Sequence, residues 1–208
     1  MNKDALHKNT LFPVFLKPEN IRFLIVGGGN VALEKLQAIF SNSPAATVKL
    51  VAGKIAPATL QFLRSRQIPY AEKSFSEQDL QDVNLVIVAV NDKNASRQIK
   101  ICCRHHNILT NVADTPDLCD FYLSSVVQKG DLKIAISTNG KSPTIAKRVK
   151  EVLTKAFPDE IDDVLANLAA IREQLSGDFQ QKVQQLNKIT EVLVASKNSE
   201  VNRSSSDF

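Results

Sequence analysis

Six residues near the start of the chain, Gly27-Gly28-Gly29-Asn30-Val31-Ala32, have the spacing G-x-G-x-x-A. They follow a short apolar run, Ile21 to Val26, and precede a stretch with apolar residues at 31, 32, 36, 39 and 40. This is the order strand, glycine turn, helix. In that setting each small residue has its own role. Gly27 permits the tight turn, Gly29 lets a pyrophosphate approach the backbone, and Ala32 allows the helix to lie close on the sheet. The helix start adds unpaired N–H groups and positive potential for phosphate oxygens. The pattern points to a dinucleotide; a glycine turn without a ligand is the plainer alternative.

A dinucleotide fold usually carries an acid at the end of its second strand, for the ribose hydroxyls. Here that place reads Val51-Ala52-Gly53-Lys54 and holds no acid. Lys54 brings NADP into consideration beside NAD; NAD is the expected cofactor. The lack of a Tyr-x-x-x-Lys pair argues against a generic short-chain dehydrogenase: four residues after Tyr70 stands Ser74, and four after Tyr122 stands Val126.

Polar residues recur where later strands end. Asn91-Asp92 follows the run Leu85–Val90, and Asn111-Val112-Ala113-Asp114-Thr115-Pro116 closes another run. In open α/β sheets that edge forms the ligand crevice. Turn and cap chemistry is the competing account of both, more so for Asp92 than for Asp114. A third polar loop, Ser137-Thr138-Asn139-Gly140-Lys141-Ser142-Pro143, leads into a helix and could hold an anion on its N-terminus. His105-His106 offers imidazoles, but neighbours in a helix cannot share a face, so a helix-end role is expected and no metal site is assigned. Cys102 and Cys103 read as core residues of the same helix.

The elements that must position these groups alternate in type. Strands are expected at 21–26, 47–52, 69–73, 85–90 and 108–112, with helices at 30–40, 57–66 and from Asp92 to about His105. Alternation at this spacing gives parallel βαβ units with right-handed crossovers. After residue 113 the pattern changes. Phe121–Val127 and Leu132–Ser137 flank Lys129-Gly130-Asp131 as an antiparallel pair. Ser142-Pro143 opens a helix, and Asp159–Leu175 and Phe179–Leu193 read as two more. The expected fold is α/β: a Rossmann-type parallel sheet, then a small region, then a helical C-terminal region. Residues 1–20 read as an arm packed on the first domain, and 198–208 as a disordered tail.

The 208 residues suffice for a core without staples. The formal net charge is +4, too small to argue for nucleic acid. Six of the basic residues and one acid fall between Lys129 and Lys150, a local charge suited to an anionic small molecule or to a solvated helix face. Three cysteines without C-x-x-C spacing fit a reducing, cytoplasmic setting. No signal peptide and no membrane span are expected.

Taken together, Leu11–Leu16, Leu24–Ala32, Ala89–Asp92, Asn111–Asp114 and Ile136–Pro143 occur in an order and spacing that resemble the precorrin-2 dehydrogenase family, which includes the N-terminal half of siroheme synthases. The resemblance covers residues 10 to 195. It implies a homodimer that oxidises precorrin-2 to sirohydrochlorin with NAD and, in some members, inserts Fe²⁺ to give siroheme. It implies domains at 1–113 (NAD-binding), 114–147 (dimerisation) and 148–197 (helical). It places cofactor contacts on Asn30, Val31, Gly53 and Lys54, beside Gly27, Gly28, Gly29 and Asn91. The family's key aspartate falls on Asp114, the catalytic candidate, and its phosphate-loop serine, phosphorylated in some members, on Ser137. Ser137, Asn139, Lys141 and Ser142 are the substrate-binding candidates. Two readings stand against it: a ferrochelatase without dehydrogenation, and a nucleotide-sensing Rossmann module without chemistry.

Overall fold

The computed structural model describes residues 9–158, 161–174, 180–185 and 187–188. Five strands, β1 (Arg22–Val26), β2 (Thr47–Ala52), β3 (Tyr70–Glu72), β4 (Leu85–Val88) and β5 (Leu109–Val112), form one sheet in the order β3-β2-β1-β4-β5. Every pairing is parallel. The helices α1 (Asn30–Asn42), α2 (Pro57–Ser65) and α3 (Lys93–His105) are connections within this sheet. Val26 pairs with Val51 on one side and Val88 on the other, so the turns after β1, β2 and β4 emerge at one edge. The strand order reverses between β1 and β4, the position where such sheets open a ligand crevice.

Burial on both faces explains why β4 is apolar throughout rather than alternating. All four residues of β4 are buried. On one face Ile25 and Ile87 pack with Ala32, Leu36 and Leu63; on the other, Leu24, Val86 and Val88 pack with Ile99 and Cys103. Alternate residues of β1 thus serve opposite cores, as the period of two requires. Each fully buried Leu or Ile contributes roughly 1.5–3 kcal/mol.

β4 stops at Val88, two residues short of the expected 85–90. The Ala89 N–H still donates to Val26 O at 2.7 Å, after which Val90 and Asn91 turn out along a cavity. Asp92 is a helix cap: its carboxylate accepts from the N–H groups of Asn94 and Ala95 at 2.8 and 3.1 Å. The arm differs from expectation. Phe12 is 87% exposed, with Val14, Phe15 and Leu16 also exposed, so these side chains are not packed on the chain's own core.

Beyond β5 the segment 115–121 protects the sheet edge rather than forming the first half of a hairpin, which moves the next strand later than expected, to β6 (Ser125–Lys129). Asp120 receives the Thr110 N–H at 2.8 Å and returns its own N–H to Thr110 O at 2.8 Å. The Cys119 thiol accepts from Val112 N–H and donates to Val112 O, each at 3.2 Å. Side chains therefore satisfy backbone groups that an exposed edge strand would present to other chains. β7 (Leu132–Ile136) pairs with β6 as a separate two-stranded sheet, turning at Gly130 with φ +53°.

By contacts the described residues form two compact units, one from 9–126 with 135–150 and one from 127–134 with those beyond 150. The first holds the five-stranded sheet and the start of α4 (Pro143–Ala156). In the second, Asp162 at the start of α5 (Ile161–Gln174) accepts the Asp131 N–H at 2.8 Å. Residues 161, 164, 165, 168 and 171 of α5 are half-buried, the face predicted from their spacing. The expected acids Asp159 and Glu160, the expected stop at Gly177 and the tail lie outside the described residues, as does much of the last helix. Among the described residues no helix is long and apolar enough to cross a membrane.

Candidate functional site

The glycine turn is held from three sides. Gly27 N–H donates to Val51 O at 2.9 Å, Ala56 N–H donates to Gly28 O at 2.9 Å, and the Thr59 hydroxyl donates to Gly29 O at 3.2 Å. Thr59 is fully buried, a polar residue in the core of α2 whose partner is the turn itself. No local pattern around Thr59 announces that role.

The three glycines differ in what surrounds them. Gly27 has φ +123°, and a Cβ there would sit 2.2 Å from Ala89 O. At Gly28 a Cβ would lie 2.5 Å from Lys54 O, so the turns after β1 and β2 touch only because that side chain is missing. At Gly29 a Cβ would meet nothing within 4 Å. The first two glycines make the turn. The third leaves open space at the start of α1, where the first N–H groups have no partner within the helix. Ala32, one turn on, is fully buried against the sheet. An anion of phosphate size fits this arrangement, because the backbone offers donors and no side chain fills the approach.

The open space is part of a cavity of about 930 Å³. Its wall includes Gly27 to Val31, Gly53 and Lys54 after β2, Asn91 after β4, Ser74 to Glu77 after β3, and Gln98 and Cys102 of α3. All eight expected cofactor contacts therefore line one cavity. Ser74, Phe75, Ser76 and Glu77 were not expected there; β3 is too short and too weakly patterned to announce its far end. No described acid directly follows β2 on this wall, and Glu72, at the end of β3, accepts Ile55 N–H at 3.4 Å with its carboxylate.

Asp114 and the third polar loop do not line this cavity. Asp114 is exposed, one peptide beyond the point where Ala113 N–H donates to Val88 O, and its φ is +56°. Non-glycine residues rarely occupy that region, although Asp and Asn tolerate it best. Asn111, before it, is buried and gives its amide to Phe121 O at 2.8 Å, which fixes the course of the loop. In the loop at 137–142, the Ser137 hydroxyl accepts Asn139 N–H at 3.1 Å and the Ser142 hydroxyl accepts Ile145 N–H at 3.2 Å. Ser142 is thus the cap of α4, and Lys141 is exposed. The Asn9 side-chain amide donates to Ser137 O at 3.4 Å.

The turn that carries Ser76 and Glu77 is itself locked by a reciprocal cap, with Ser76 N–H and hydroxyl both donating to Asp79 at 2.8 and 3.0 Å. Burial acts to raise the Asp79 carboxyl, but Lys73 and the two Ser76 donors outweigh it and hold it below the usual range. All three cysteines are free thiols. Burial pushes Cys103 up to about 11 and raises Cys119, while Cys102 is raised by burial and then by the charge of Glu77.

Comparison with known proteins agrees with this geometry. Residues 14–125 match a family described as putative NAD(P)-binding, and residues 129–156 match one described as sirohaem biosynthesis protein, central. The siroheme synthase of Pseudoalteromonas translucida is 33% identical over 80% of the chain, which covers 35% of that protein. That of Methylococcus capsulatus is 32% identical over 78% of the chain and 34% of its own length. The chain thus spans about a third of these relatives. A solved structure described as SirC, precorrin-2 dehydrogenase, superposes with a TM-score of 0.67 at 25% identity, over 86% of this chain and 89% of that one.

Proposed function

The chain belongs to the precorrin-2 dehydrogenase family that forms the N-terminal part of siroheme synthases, and from that premise we propose that it oxidises precorrin-2 to sirohydrochlorin with NAD⁺. The observation that carries the reading is the cavity above the glycine turn, with its open approach at Gly29. Bound NAD⁺ supplies the hydride acceptor. The backbone at Gly27–Val31 orients the pyrophosphate, and Gly53, Lys54 and Asn91 face the rest of the dinucleotide. Oxidation removes one hydride and one proton from the macrocycle. Asp114 accepts the proton or orients the ring, and Ser137, Asn139, Lys141 and Ser142 receive the substrate's carboxylates. In this reading residues 1–113 bind the cofactor of a cytoplasmic enzyme, 114–147 make a homodimer, and 148–197 are the helical C-terminal domain. Fe²⁺ is a second substrate: the Asp114 carboxylate takes pyrrole N–H protons as the metal enters the ring.

Purified protein given precorrin-2 and NAD⁺ should form sirohydrochlorin and NADH in equal amounts, followed by absorbance. NADP⁺ in place of NAD⁺ should serve poorly, and added Fe²⁺ should convert the product to siroheme. Tetrapyrrole binding without dinucleotide reduction, with iron insertion intact, would leave a chelatase only. Dinucleotide binding with no affinity for either tetrapyrrole would leave a sensor.

A further inference from the structure

Beside the dinucleotide cavity, whose wall includes Glu77 and Cys102, three side chains of different chemistry converge. Glu77 stands in the turn after β3; Cys102 and His106 lie four residues apart, one turn of helix, at the end of α3. One ligand atom from each, the Glu77 carboxylate oxygen, the Cys102 sulfur and a His106 ring nitrogen, falls within 4.8 Å of the other two. Glu77 Oε1 and His106 Nε2 are already 2.6 Å apart. A hydrogen bond accounts for those two groups. It does not account for the thiol aimed at the same point. A second opening of about 490 Å³ is also lined by Glu77 and His106.

We propose that Glu77, Cys102 and His106 bind a single borderline divalent transition ion of the zinc class. The donor set is one thiolate, one imidazole and one carboxylate, the set that suits such ions rather than Mg²⁺ or Ca²⁺. Metal–ligand lengths of about 2.3 Å to sulfur, 2.0–2.1 Å to nitrogen and 2.0–2.2 Å to oxygen put tetrahedral donors about 3.3–3.6 Å apart. The three ligand atoms, all within 4.8 Å of one another, already stand close to that spacing. The 2.6 Å hydrogen bond opens and the thiol moves in, losing its proton to solvent as the metal–sulfur bond forms. Three protein ligands leave a fourth position for water or an incoming group. Glu77 and His106 are more than two-fifths exposed, which gives the ion its entry path. The site takes nothing from the glycine turn or Asp114, so it stands whether or not the dehydrogenase reading does.

The test is titration of the full chain with Zn²⁺ against a chelating dye, and with Co²⁺ as a spectroscopic stand-in, without dinucleotide or tetrapyrrole. One tightly held ion per chain is expected, with a thiolate-to-cobalt charge-transfer band in the near ultraviolet. Cys102→Ser should abolish that band, whereas Cys103→Ser and Cys119→Ser should keep it. His106→Ala and Glu77→Gln, both at exposed positions, should each weaken Zn²⁺ by more than the roughly 10–100-fold typical of losing a group behind the ligands. Melting curves in chelator establish that each variant is folded. No ion retained against the dye, a band that survives Cys102→Ser, or an affinity unmoved by His106→Ala would each overturn the proposal.

Discussion

Replacing Gly27 and Gly29 separately by alanine should separate fold from binding. At Gly27 the new Cβ would lie 2.2 Å from Ala89 O and 2.6 Å from its carbonyl carbon, in a backbone with φ +123°. Neither atom can step aside, because the Ala89 N–H is tied to Val26 O at 2.7 Å across the two central strands. Holding alanine in that region costs about 1–3 kcal/mol before the clash is counted. With the clash, the total should exceed about 3 kcal/mol, a fall in Tm of at least about 6–12 °C for a chain of this size. Gly29 has φ −85° and ψ −167°, which any residue adopts, and open space where its Cβ would go. There the loss of glycine's freedom in the unfolded chain stabilises by about 0.4–1 kcal/mol. The poorer N-cap works against this, so the Tm should move by no more than about 2–4 °C. The same methyl stands where a phosphate must approach. Losing one or two charge-assisted hydrogen bonds, at about 1.5–3 kcal/mol each, raises the NAD⁺ Kd by at least about 10-fold. Thermal melts by circular dichroism and calorimetric titration with NAD⁺ read both effects. Gly27→Ala melting with the parent, or Gly29→Ala binding NAD⁺ as the parent does, would refute the division of labour assigned to this turn.

Three further outcomes are expected. Asp114→Asn keeps a residue that tolerates the observed φ of +56° while removing the base; turnover should fall about 10²–10⁴-fold with NAD⁺ affinity retained, and unchanged turnover removes Asp114 from the chemistry. Asp92→Ala deletes the acceptor of two N–H groups and should cost about 1 kcal/mol, read as a Tm lower by about 2–4 °C; an unmoved melt would mean that water caps α3 equally well. The KM for the tetrapyrrole should climb between low and physiological ionic strength, as the screening length shrinks from about 30 Å to about 8 Å. A flat salt response would assign the charges between Lys129 and Lys150 to a solvated face.

Much of the architecture was legible because it depends on local pattern. The expected strands ending at Val26, Ala52 and Val112 match the observed C-terminal strand ends to the residue, since a run of largely apolar residues that stops at a turn signal marks a buried strand from local composition alone. Asp92 and Ser142 read as caps from type and position alone, as both prove to be. The strand set at 121–127 was misplaced because nothing in its composition says that 115–121 would be drawn onto the edge of β5 by Asp120 and Cys119. The packed arm failed for a similar reason: apolar residues at 11–16 declare that they want burial, not what will bury them.

By itself, then, the order of residues determined a parallel sheet, a glycine turn at its switch point, and the family to which both belong, since period, turn chemistry and helix capping act over a few neighbouring residues. Folding alone decided that Thr59 would support the turn, that Ser74 to Glu77 would wall the cavity, and that Glu77 would meet Cys102 and His106. Those meetings join segments some 25 or more residues apart. They follow from how strands stack and helices cross, and one-dimensional spacing does not record that geometry.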